Sequence, residues 1–380
     1  MTNTSIGQTK LLIAWTSTDN KDTELNMLTL NKRKPISALA VLFSTLFTDS
    51  AYAAEVSPGV FRTPESSFNG LADYPFQANY LQIDSLRMHY VDEGPRQAKV
   101  VLLLHGEPSW SYLYRYMIPI LSAAGYRVIA PDLIGFGKSD KPALKSAHSH
   151  SVHVSHIKTL IEELQLQDIT LFIQDWGGLI GLRVLADMPE RFAGVVAGNT
   201  GLPAASGVRG WIGYPIFRLA LWWQGDVTWE ALQAEPSFLK WAAYSQSVND
   251  MPVGQVVAVD IAETDPQRQA IVAAYDAPFP DLRYKAGPVV MPKLVPSELR
   301  LNAAAWQVLE QWQKPFLTAF SDGDPITAGG DLAFQQRIPG ARNQPHVTIR
   351  GAGHFLQETH GPELAELMLR FMATYPSPDN

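Results

Sequence analysis

The sequence Ile173-Gln174-Asp175-Trp176-Gly177-Gly178 joins an apolar run to a segment rich in small residues. The run at 169–173 predicts a strand, and the pattern at 178–188 predicts a helix. A tight turn between a strand and a helix exposes its central side chain at the carboxyl edge of a parallel sheet. Asp175 is therefore a candidate nucleophile, and capping of the following helix is the alternative role for its carboxyl group.

Strand-like and helix-like segments alternate on both sides of this turn. The alternation predicts an α/β fold, with a mostly parallel sheet flanked by helices. We expect strands at residues 86–91, 100–104, 127–130, 169–173, 194–197, 316–320 and 346–349. We expect core helices at residues 111–124, 152–164, 178–188, 302–312 and 362–372.

Residues 202–300 interrupt the alternation, because they are rich in Trp and Tyr and show no strand pattern. Helical pieces at 211–223 and 236–247 are broken by Pro and Gly. We expect an inserted helical cap at 202–300, between a first core part at 56–201 and a second at 301–380.

A carboxylate nucleophile narrows the reaction that Asp175 can start. An Asp carboxyl group has a reference pKa of about 3.9, so it is anionic at neutral pH and attacks without a base. Attack on an ester or amide would give a reactive anhydride, whereas attack on a saturated carbon gives an ordinary ester. We therefore expect a displaceable group on sp³ carbon, as in an alkyl halide or an epoxide.

Hydrolysis of that ester needs a base, and the small-residue loop Gly351-Ala352-Gly353-His354-Phe355 offers one after the last predicted strand. His354 is the candidate, because imidazole has a reference pKa of about 6.5, close to neutrality. His346 and His360 are the alternatives.

An acid should orient the imidazole and balance its charge when it is protonated. The loop Ser321-Asp322-Gly323-Asp324-Pro325 follows a predicted strand and lies between nucleophile and His in chain order. Asp324 is preferred because it stands further beyond the strand end, and Asp322 is the alternative.

An oxyanion site should lie beside the nucleophile. The loop His105-Gly106-Glu107-Pro108 follows the buried strand at 100–104. In folds of this kind, such a loop and the residue after the nucleophile supply the backbone donors, here the amides of Glu107 and Trp176. One donor of this type contributes about 3–4 kcal/mol at the transition state. The Glu107 side chain either positions water or has a structural role in the turn.

Five motifs in combination resemble those of haloalkane dehalogenases, which are α/β-hydrolases. They span residues 105–115, 131–142, 174–178, 276–280 and 353–358. The resemblance runs from about Phe61 to the C-terminus, and it is closest to the subfamily with Glu after His-Gly and a halide-binding Trp in the cap. It implies an α/β-hydrolase core with an inserted cap. It also implies conversion of a small halogenated aliphatic substrate to an alcohol, a halide ion and a proton through a covalent aspartyl-alkyl ester.

This family binds the leaving halide between two indole N–H groups, which donate hydrogen bonds but cannot accept them. Trp176 matches the first donor, and Trp241 in the segment 238–242 is the best match for the second. We expect the other cap tryptophans to pack in the core or cap, although any of them is an alternative to Trp241; they are Trp211, Trp222, Trp223 and Trp229. The segment 205–235 is longer than in typical members and should reshape the tunnel or lid.

Two other functions remain open at this point. An epoxide hydrolase would use the same Asp-His-Asp set, but it would need cap tyrosines to protonate the alkoxide. The candidates are Tyr214, Tyr244, Tyr275 and Tyr284. A non-catalytic binding protein on the same fold is the second alternative.

Composition excludes several other classes of protein. The chain has 380 residues, a net charge of −7 and no long Lys/Arg run, which argues against a nucleic-acid partner. It has 0 cysteines, which excludes disulfides, zinc–thiolate sites and thiol nucleophiles. No His/Asp/Glu cluster has the spacing of metal ligands, so we expect neither a metal nor another cofactor.

Residues 1–55 have the pattern of a leader. Lys32-Arg33-Lys34 precedes an apolar stretch at 36–47, and Ala51-Tyr52-Ala53 resembles a signal-peptidase site. The stretch is too short to span a bilayer, so we expect no membrane span in the mature protein. We expect a signal peptide from Met27 to Ala54, cleavage after Ala53 or Ala54, and a periplasmic or secreted enzyme. Met27 would then be the true start, and a disordered tail is the alternative.

Overall fold

The structure is a computed structural model that describes residues 54–375. The expected leader lies outside the described residues except for its last two positions, which open the first strand. The described strands are β1 (Ala54–Ser57), β2 (Val60–Arg62), β3 (Asn79–Ile83), β4 (Leu86–Glu93), β5 (Val100–Leu104), β6 (Arg127–Pro131), β7 (Lys141–Pro142), β8 (Ile169–Gln174), β9 (Phe192–Gly198), β10 (Phe316–Ser321) and β11 (Val347–Ile349).

The same residues form twelve α-helices. These are α1 (Met117–Ala123), α2 (His150–Glu163), α3 (Trp176–Asp187), α4 (Gly207–Gln224), α5 (Trp229–Ala234), α6 (Phe238–Ser247), α7 (Val253–Val257), α8 (Arg268–Asp276), α9 (Ala286–Leu294), α10 (Leu299–Leu309), α11 (Gly330–Arg337) and α12 (Leu356–Met372). Short 3₁₀ helices span Glu65–Phe68, Ser111–Tyr114, Lys145–Ala147, Pro189–Arg191, Ala258–Asp260, Leu282–Tyr284 and Pro339–Ala341.

Eight strands form the main sheet, in the order β11-β10-β9-β8-β5-β6-β4-β3. The strands from β11 to β6 pair in parallel, and β4 runs antiparallel to both β3 and β6. Every residue of β5 and β8 is buried, as expected for continuous apolar runs covered by helices on both faces. The predicted α/β fold with a mostly parallel sheet is confirmed.

The order of the strands places the site. From β5 the chain moves to β6 on one side and then returns to β8 on the other side of β5. The carboxyl ends of β5 and β8 therefore flank the point where the winding reverses, which is where open α/β sheets bind ligands. The loop containing Glu107 follows β5, and Asp175 directly follows β8.

Three local predictions were incomplete or wrong. The single helix expected at 111–124 is a 3₁₀ turn followed by the shorter α1, and the 3₁₀ turn is buried on every side rather than on one face. The strand β3 and the small antiparallel sheet β1-β2-β7 were not predicted. The closing helix has a kink at His360, because Pro362 cannot donate a backbone hydrogen bond; the part after the kink matches the helix expected at 362–372, and the part from Leu356 to the kink was not predicted.

Between β9 and β10 the described chain forms seven α-helices, α4 to α10, and no strand. The indole N–H of Trp306 on α10 donates to the Leu202 carbonyl at 2.9 Å, which ties the start of this segment to its end. The boundaries at residues 55, 201 and 300, which separate the leader, the two core parts and the cap, stay predictions.

Candidate active site

Asp175 lies on a sharp turn between β8 and α3. Its backbone has φ +50° and ψ −127°, a conformation that costs of order 1–3 kcal/mol for a residue with a side chain. The turn is held by hydrogen bonds: the Asp175 amide donates to the Asn199 carbonyl at 3.0 Å. The Asp175 carbonyl accepts from the Gly178 amide at 2.9 Å and the Thr200 hydroxyl at 2.7 Å. This strained turn presents the carboxyl group to the cavity above the sheet.

Two glycines allow the surrounding chain to approach the turn. A Cβ atom at Gly106 would collide with the Asp175 carboxyl group, and one at Gly178 would collide with the Thr200 side chain. Side chains at these two positions would therefore displace the nucleophile turn or the loop that faces it.

The two carboxyl oxygens of Asp175 have different surroundings. Oδ1 accepts a hydrogen bond from the Glu107 amide at 2.7 Å. Oδ2 lies 3.4 Å from Nε2 of His354. One oxygen is thus held by the loop after β5, and the other faces the imidazole. The Glu107 amide, which was predicted as an oxyanion donor, therefore lies within hydrogen-bond distance of the Asp175 oxygen that would carry the negative charge.

The structure brings His354 and Asp324 together. Nδ1 of His354 lies 2.9 Å from Oδ2 of Asp324, a carboxyl group that also accepts from the Ile326 amide at 2.8 Å and from the Thr327 hydroxyl. The alternative acid, Asp322, is exposed and accepts from the Gly351 amide instead.

The alternative histidines have other contacts. His346 bonds to Thr318 and to the Ala341 carbonyl, and His360 bonds to Thr359. Neither lines the cavity that contains Asp175.

Two carboxylates stabilise the protonated form of His354. Burial opposes protonation, but Asp324 and Asp175 outweigh it and raise the His354 pKa well above its usual value. Burial also opposes ionisation of Asp324, but His354, Thr327 and the Ile326 amide together lower the Asp324 pKa to about 2. Both shifts favour the ion pair of an imidazolium and a carboxylate.

Two amide side chains that sequence reasoning missed hold the His354 loop. Nδ2 of Asn199 donates to the carbonyls of Gly353 and His354 at 2.9 and 3.0 Å. Nε2 of Gln174 donates to the His354 carbonyl at 3.1 Å. Their position at the carboxyl ends of β8 and β9 was the available sequence signal, since that edge also holds the nucleophile.

The cavity above the sheet has a volume of about 380 Å³, which is in the range of small-molecule sites. Most of its wall is apolar: Trp176, Trp229, Leu232, Pro236, Phe238, Trp241, Val256, Val259, Pro292, Val295, Pro325, Ile326 and Phe355. Five polar side chains reach it, namely Glu107, Asp175, Gln233, Asp260 and His354.

The predicted halide-binding tryptophans both line this cavity. Trp176 begins α3 and is 1% exposed, and Trp241 lies on α6 beside the Glu107 carboxyl group. Trp229 on α5 also lines the cavity, so it remains the structural alternative to Trp241.

The expected packing of three other cap tryptophans was wrong. Trp211, Trp222 and Trp223 are 67%, 75% and 84% exposed. They lie on α4, a helix with no buried residue. This helix has more apolar side chains than its inner face can hold, so the others face solvent.

Two acids in the cavity wall have raised pKa values. Burial and the neighbouring Asp175 carboxylate raise the Glu107 pKa well above its usual value, against smaller opposing effects of His354 and Trp241. Burial likewise raises the pKa of Asp260, which sequence reasoning missed. The Asp260 carboxyl group comes from the segment between α7 and α8 and abuts Gly353, next to His354.

Comparison with known proteins agrees with this geometry. Residues 99–361 match the family described as alpha/beta hydrolase fold. A haloalkane dehalogenase of Psychrobacter cryohalolentis is 47% identical over 327 residues, which cover 83% of this chain and 99% of that protein. A haloalkane dehalogenase of Mycolicibacterium paratuberculosis is 43% identical over 320 residues, which cover 82% of this chain and 97% of that protein.

The chain belongs to the haloalkane dehalogenase family. It is a hydrolase that acts on carbon–halide bonds, as the sequence motifs predicted. Among solved structures, the tetrameric haloalkane dehalogenase DpaA from Paraglaciecola agarilytica NO2 is 34% identical, with a TM-score of 0.69 over 83% of this chain and 98% of that chain. An ancestral haloalkane dehalogenase, 23% identical with a TM-score of 0.59, shares the fold.

The epoxide hydrolase alternative is not favoured for this dehalogenase. None of the four tyrosines considered for protonating an alkoxide lines the cavity within the described part of the chain. The Tyr275 hydroxyl donates a hydrogen bond to Glu358, a buried acid that also pairs with Arg115. The hydroxyl of Tyr284 is buried elsewhere.

Within residues 54–375 of the dehalogenase, no group of three or more His, Asp or Glu side chains is arranged to hold a metal ion. No helix in that range combines the length and apolar character needed to cross a membrane.

Proposed function

We propose that Asp175 carries out the first step by attacking the halogen-bearing carbon with Oδ2. The new bond joins Oδ2 to carbon, the carbon–halogen bond breaks, and its electron pair leaves with the halide. The observation that supports this assignment is the unequal environment of the two carboxyl oxygens. The Glu107 amide holds Oδ1 at 2.7 Å, so Oδ2 is the oxygen left to face the cavity and His354.

The halide would leave between Trp176 and Trp241. Both indoles line the apolar cavity with Asp175, and an indole N–H donates a hydrogen bond without offering an acceptor. The apolar wall also excludes water, which strengthens such charge-assisted hydrogen bonds. Trp229 would take the second role if Trp241 does not.

His354 would serve as the base of the second step, with Asp324 as its orienting acid. Asp175 and Asp324 both raise the His354 pKa, and alkylation removes the charge of Asp175. The imidazolium then loses a proton more easily, so the neutral base forms after the ester. Water attacks the ester carbonyl as His354 takes its proton, while the Glu107 and Trp176 amides hold the oxyanion. Collapse of this intermediate breaks the bond between the acyl carbon and the alkyl-bearing oxygen. The departing alkoxide takes the proton of the acyl hydroxyl group and leaves as the alcohol, which restores the Asp175 carboxylate and leaves His354 protonated.

The cavity suggests the substrate class. Its volume of about 380 Å³ and its apolar wall suit small aliphatic halides with no charged group. The Asp175 carboxylate, which lines the cavity, would disfavour an anionic haloacid. No cofactor or metal takes part in this scheme.

Bromide release from 1,2-dibromoethane or 1-bromobutane tests the proposal. We expect release by the parent enzyme and its loss in the Asp175→Asn variant. Turnover of styrene oxide without bromide release would instead support an epoxide hydrolase, and absence of both would support a binding protein.

We also propose that the enzyme is exported, to the periplasm or beyond. The support is the sequence pattern of residues 27–54 alone, which combines a basic segment, an apolar stretch and small residues at the expected cleavage site. The N-terminal sequence of the enzyme purified from its source would test this. A mature chain that starts at Ala54 or Glu55 is expected, and a chain that retains residues 27–53 would contradict export by cleavage.

A further inference from the structure

The helix α4 displays a continuous apolar face to solvent. None of its 18 residues is buried. Its large apolar side chains that are 44–84% exposed are Val208, Trp211, Ile212, Ile216, Leu219, Trp222 and Trp223. These positions recur at intervals of three and four, so they form one stripe along the helix.

Arginines border this stripe on both sides. At 100° per residue, Arg209 lies at one edge of the stripe and Arg218 lies at the opposite edge. Arginine can extend its guanidinium group away from an apolar surface that its stem covers. The stripe therefore has an apolar centre and two cationic borders.

The opposite side of α4 faces the protein. A Cβ atom at Gly210 or Gly213 would meet Arg300 or Leu299 of α10. Phe217 stacks on Phe238 of α6, with ring centroids 5.7 Å apart. The helix is therefore already attached by its inner face, and the outer stripe is left for another occupant.

The charge of α4 itself is positive, although the whole chain has a net charge of −7. The helix contains two Arg and no Asp or Glu. Beside it, the guanidinium group of Arg300 lies 3.8 Å from the Trp211 ring centroid. Burial lowers the pKa of Lys293, and the positive charges of Lys145 and Arg218 lower it further. These three cations therefore lie near one another.

We propose that α4 docks this enzyme on an anionic lipid bilayer, with the helix in the plane of the surface. The apolar stripe would enter the boundary between headgroups and acyl chains, and the arginines would contact the anionic headgroups. Tryptophan is the residue type that best suits that boundary, and the stripe has three of them.

A second copy of the chain fits the stripe less well. Paired α4 helices would bring the arginine borders of two copies together, and the helix carries no carboxylate to balance them. Along the sequence, the nearest acid after the helix is Asp226, and the nearest before it is Glu190. An anionic surface supplies the missing countercharge.

Docking would also place the cavity close to the lipid. Phe217 of α4 stacks on Phe238, and Phe238 lines the cavity. Uncharged haloalkanes concentrate in acyl chains because they are apolar. An enzyme held on the bilayer by α4 would therefore meet its substrate where the local concentration is highest.

A single-cysteine probe can test this docking in the full chain, which contains 0 cysteines. Leu219→Cys labelled with nitrobenzoxadiazole reports on the stripe, and Leu332→Cys on α11, 51% exposed, is the matched control. With vesicles of phosphatidylglycerol and phosphatidylcholine, we expect the probe at 219 to brighten and shift to the blue, and the probe at 332 to stay unchanged. High salt or pure phosphatidylcholine should weaken the response. Because the probe reports on its own position, any membrane binding by residues 36–47 does not imitate this result.

A paired substitution measures how much the stripe contributes. We expect Trp222→Ser with Trp223→Ser to weaken the vesicle response of the 219 probe at least about tenfold, because partitioning scales with the apolar area buried. Circular dichroism and bromide release should match the parent, since both side chains are exposed and outside the cavity. An unchanged 219 probe in the presence of vesicles would overturn the proposal. A spectral shift that grows with protein concentration in the absence of lipid would also overturn it and assign the stripe to a second copy.

Discussion

Replacing His354 by Gln should separate the two chemical steps. The first step needs only the Asp175 carboxylate and the halide-binding indoles, so the variant should still release halide. The second step needs a base within reach of water at the ester carbonyl. Nε2 of His354 lies 3.4 Å from Asp175 Oδ2, and Gln cannot accept a proton there. The variant should therefore accumulate the aspartyl-alkyl ester.

The size of the effect follows from the groups left around the ester. A positioned general base contributes about 10²- to 10⁴-fold, or roughly 3–5 kcal/mol of activation free energy. The cavity retains two carboxyl groups with raised pKa values, Glu107 and Asp260, and their ionised fraction would accept a proton from water only weakly. We therefore expect steady-state turnover to fall about 10³-fold rather than to vanish.

Rapid mixing with 1-bromobutane provides the assay. We expect a burst of bromide close to one equivalent per enzyme, followed by slow release, and an intact mass increased by one butyl group in place of hydrogen. Peptide mapping should place the adduct on Asp175, and Asp175→Ala should show neither burst nor adduct. The reasoning would be refuted by a variant that releases no bromide in the burst, or by an adduct on another residue.

Three further predictions address individual contacts. Trp241→Phe should weaken quenching of Trp fluorescence by bromide, and an unchanged response would assign the second halide donor to another cap tryptophan. Asp175→Asn should lower the His354 pKa, measured by NMR titration, because it removes one of the two carboxylates that raise it; an equal or higher value would contradict the proposed order of steps. Glu358→Gln should lower the free energy of unfolding in urea by about 3–5 kcal/mol, because it leaves the guanidinium group of Arg115, 0% exposed, without its countercharge. A loss below about 1 kcal/mol would show that the pair is not needed to balance that charge.

The same pKa shifts set a pH window for stability. Asp324, with its pKa lowered to about 2, stabilises the fold above the ordinary Asp pKa near 3.9, and this contribution is lost as pH falls through 2. His354, with its pKa raised, stabilises the fold below about 6.5, and this contribution is lost as pH rises through the raised value. The contact between them therefore contributes fully between about pH 4 and about pH 6.5, and its contribution declines on either side of that range.

Sequence patterns were informative wherever one physical requirement fixed the residue type. The all-apolar strand β5 can only be buried on both faces, and its bounds were predicted without error. The turn at Asp175 was predictable because a strand, an acid and small residues follow one another in a fixed order. The proximity of His354 and Asp324 followed from their loops, since both leave parallel strands at the same edge.

Long-range contacts could not be read in the same way. The predicted role of a cap tryptophan depends on which face of its helix meets the core, and α4 is apolar on nearly every face. Its sequence periodicity therefore did not indicate which face of the helix packs against the protein. For this reason Trp211, Trp222 and Trp223 were expected to be packed, although the structure exposes them. Asp260 was missed for a related reason: nothing near it in sequence indicates that its carboxyl group reaches Gly353, 93 residues away.

In the proposed mechanism, the charge balance at the site sets the order of the two steps. Before reaction, the imidazole faces two carboxylates, and both favour its protonated form. Protonation opposes the action of the imidazole as a base, so the two carboxylates disfavour activation of water while Asp175 is free. Forming the ester neutralises one of the two carboxylates and makes the imidazole a better proton donor to solvent. The base is therefore generated by the intermediate that it must hydrolyse, and the proton that the overall reaction produces should leave the enzyme before the alcohol does.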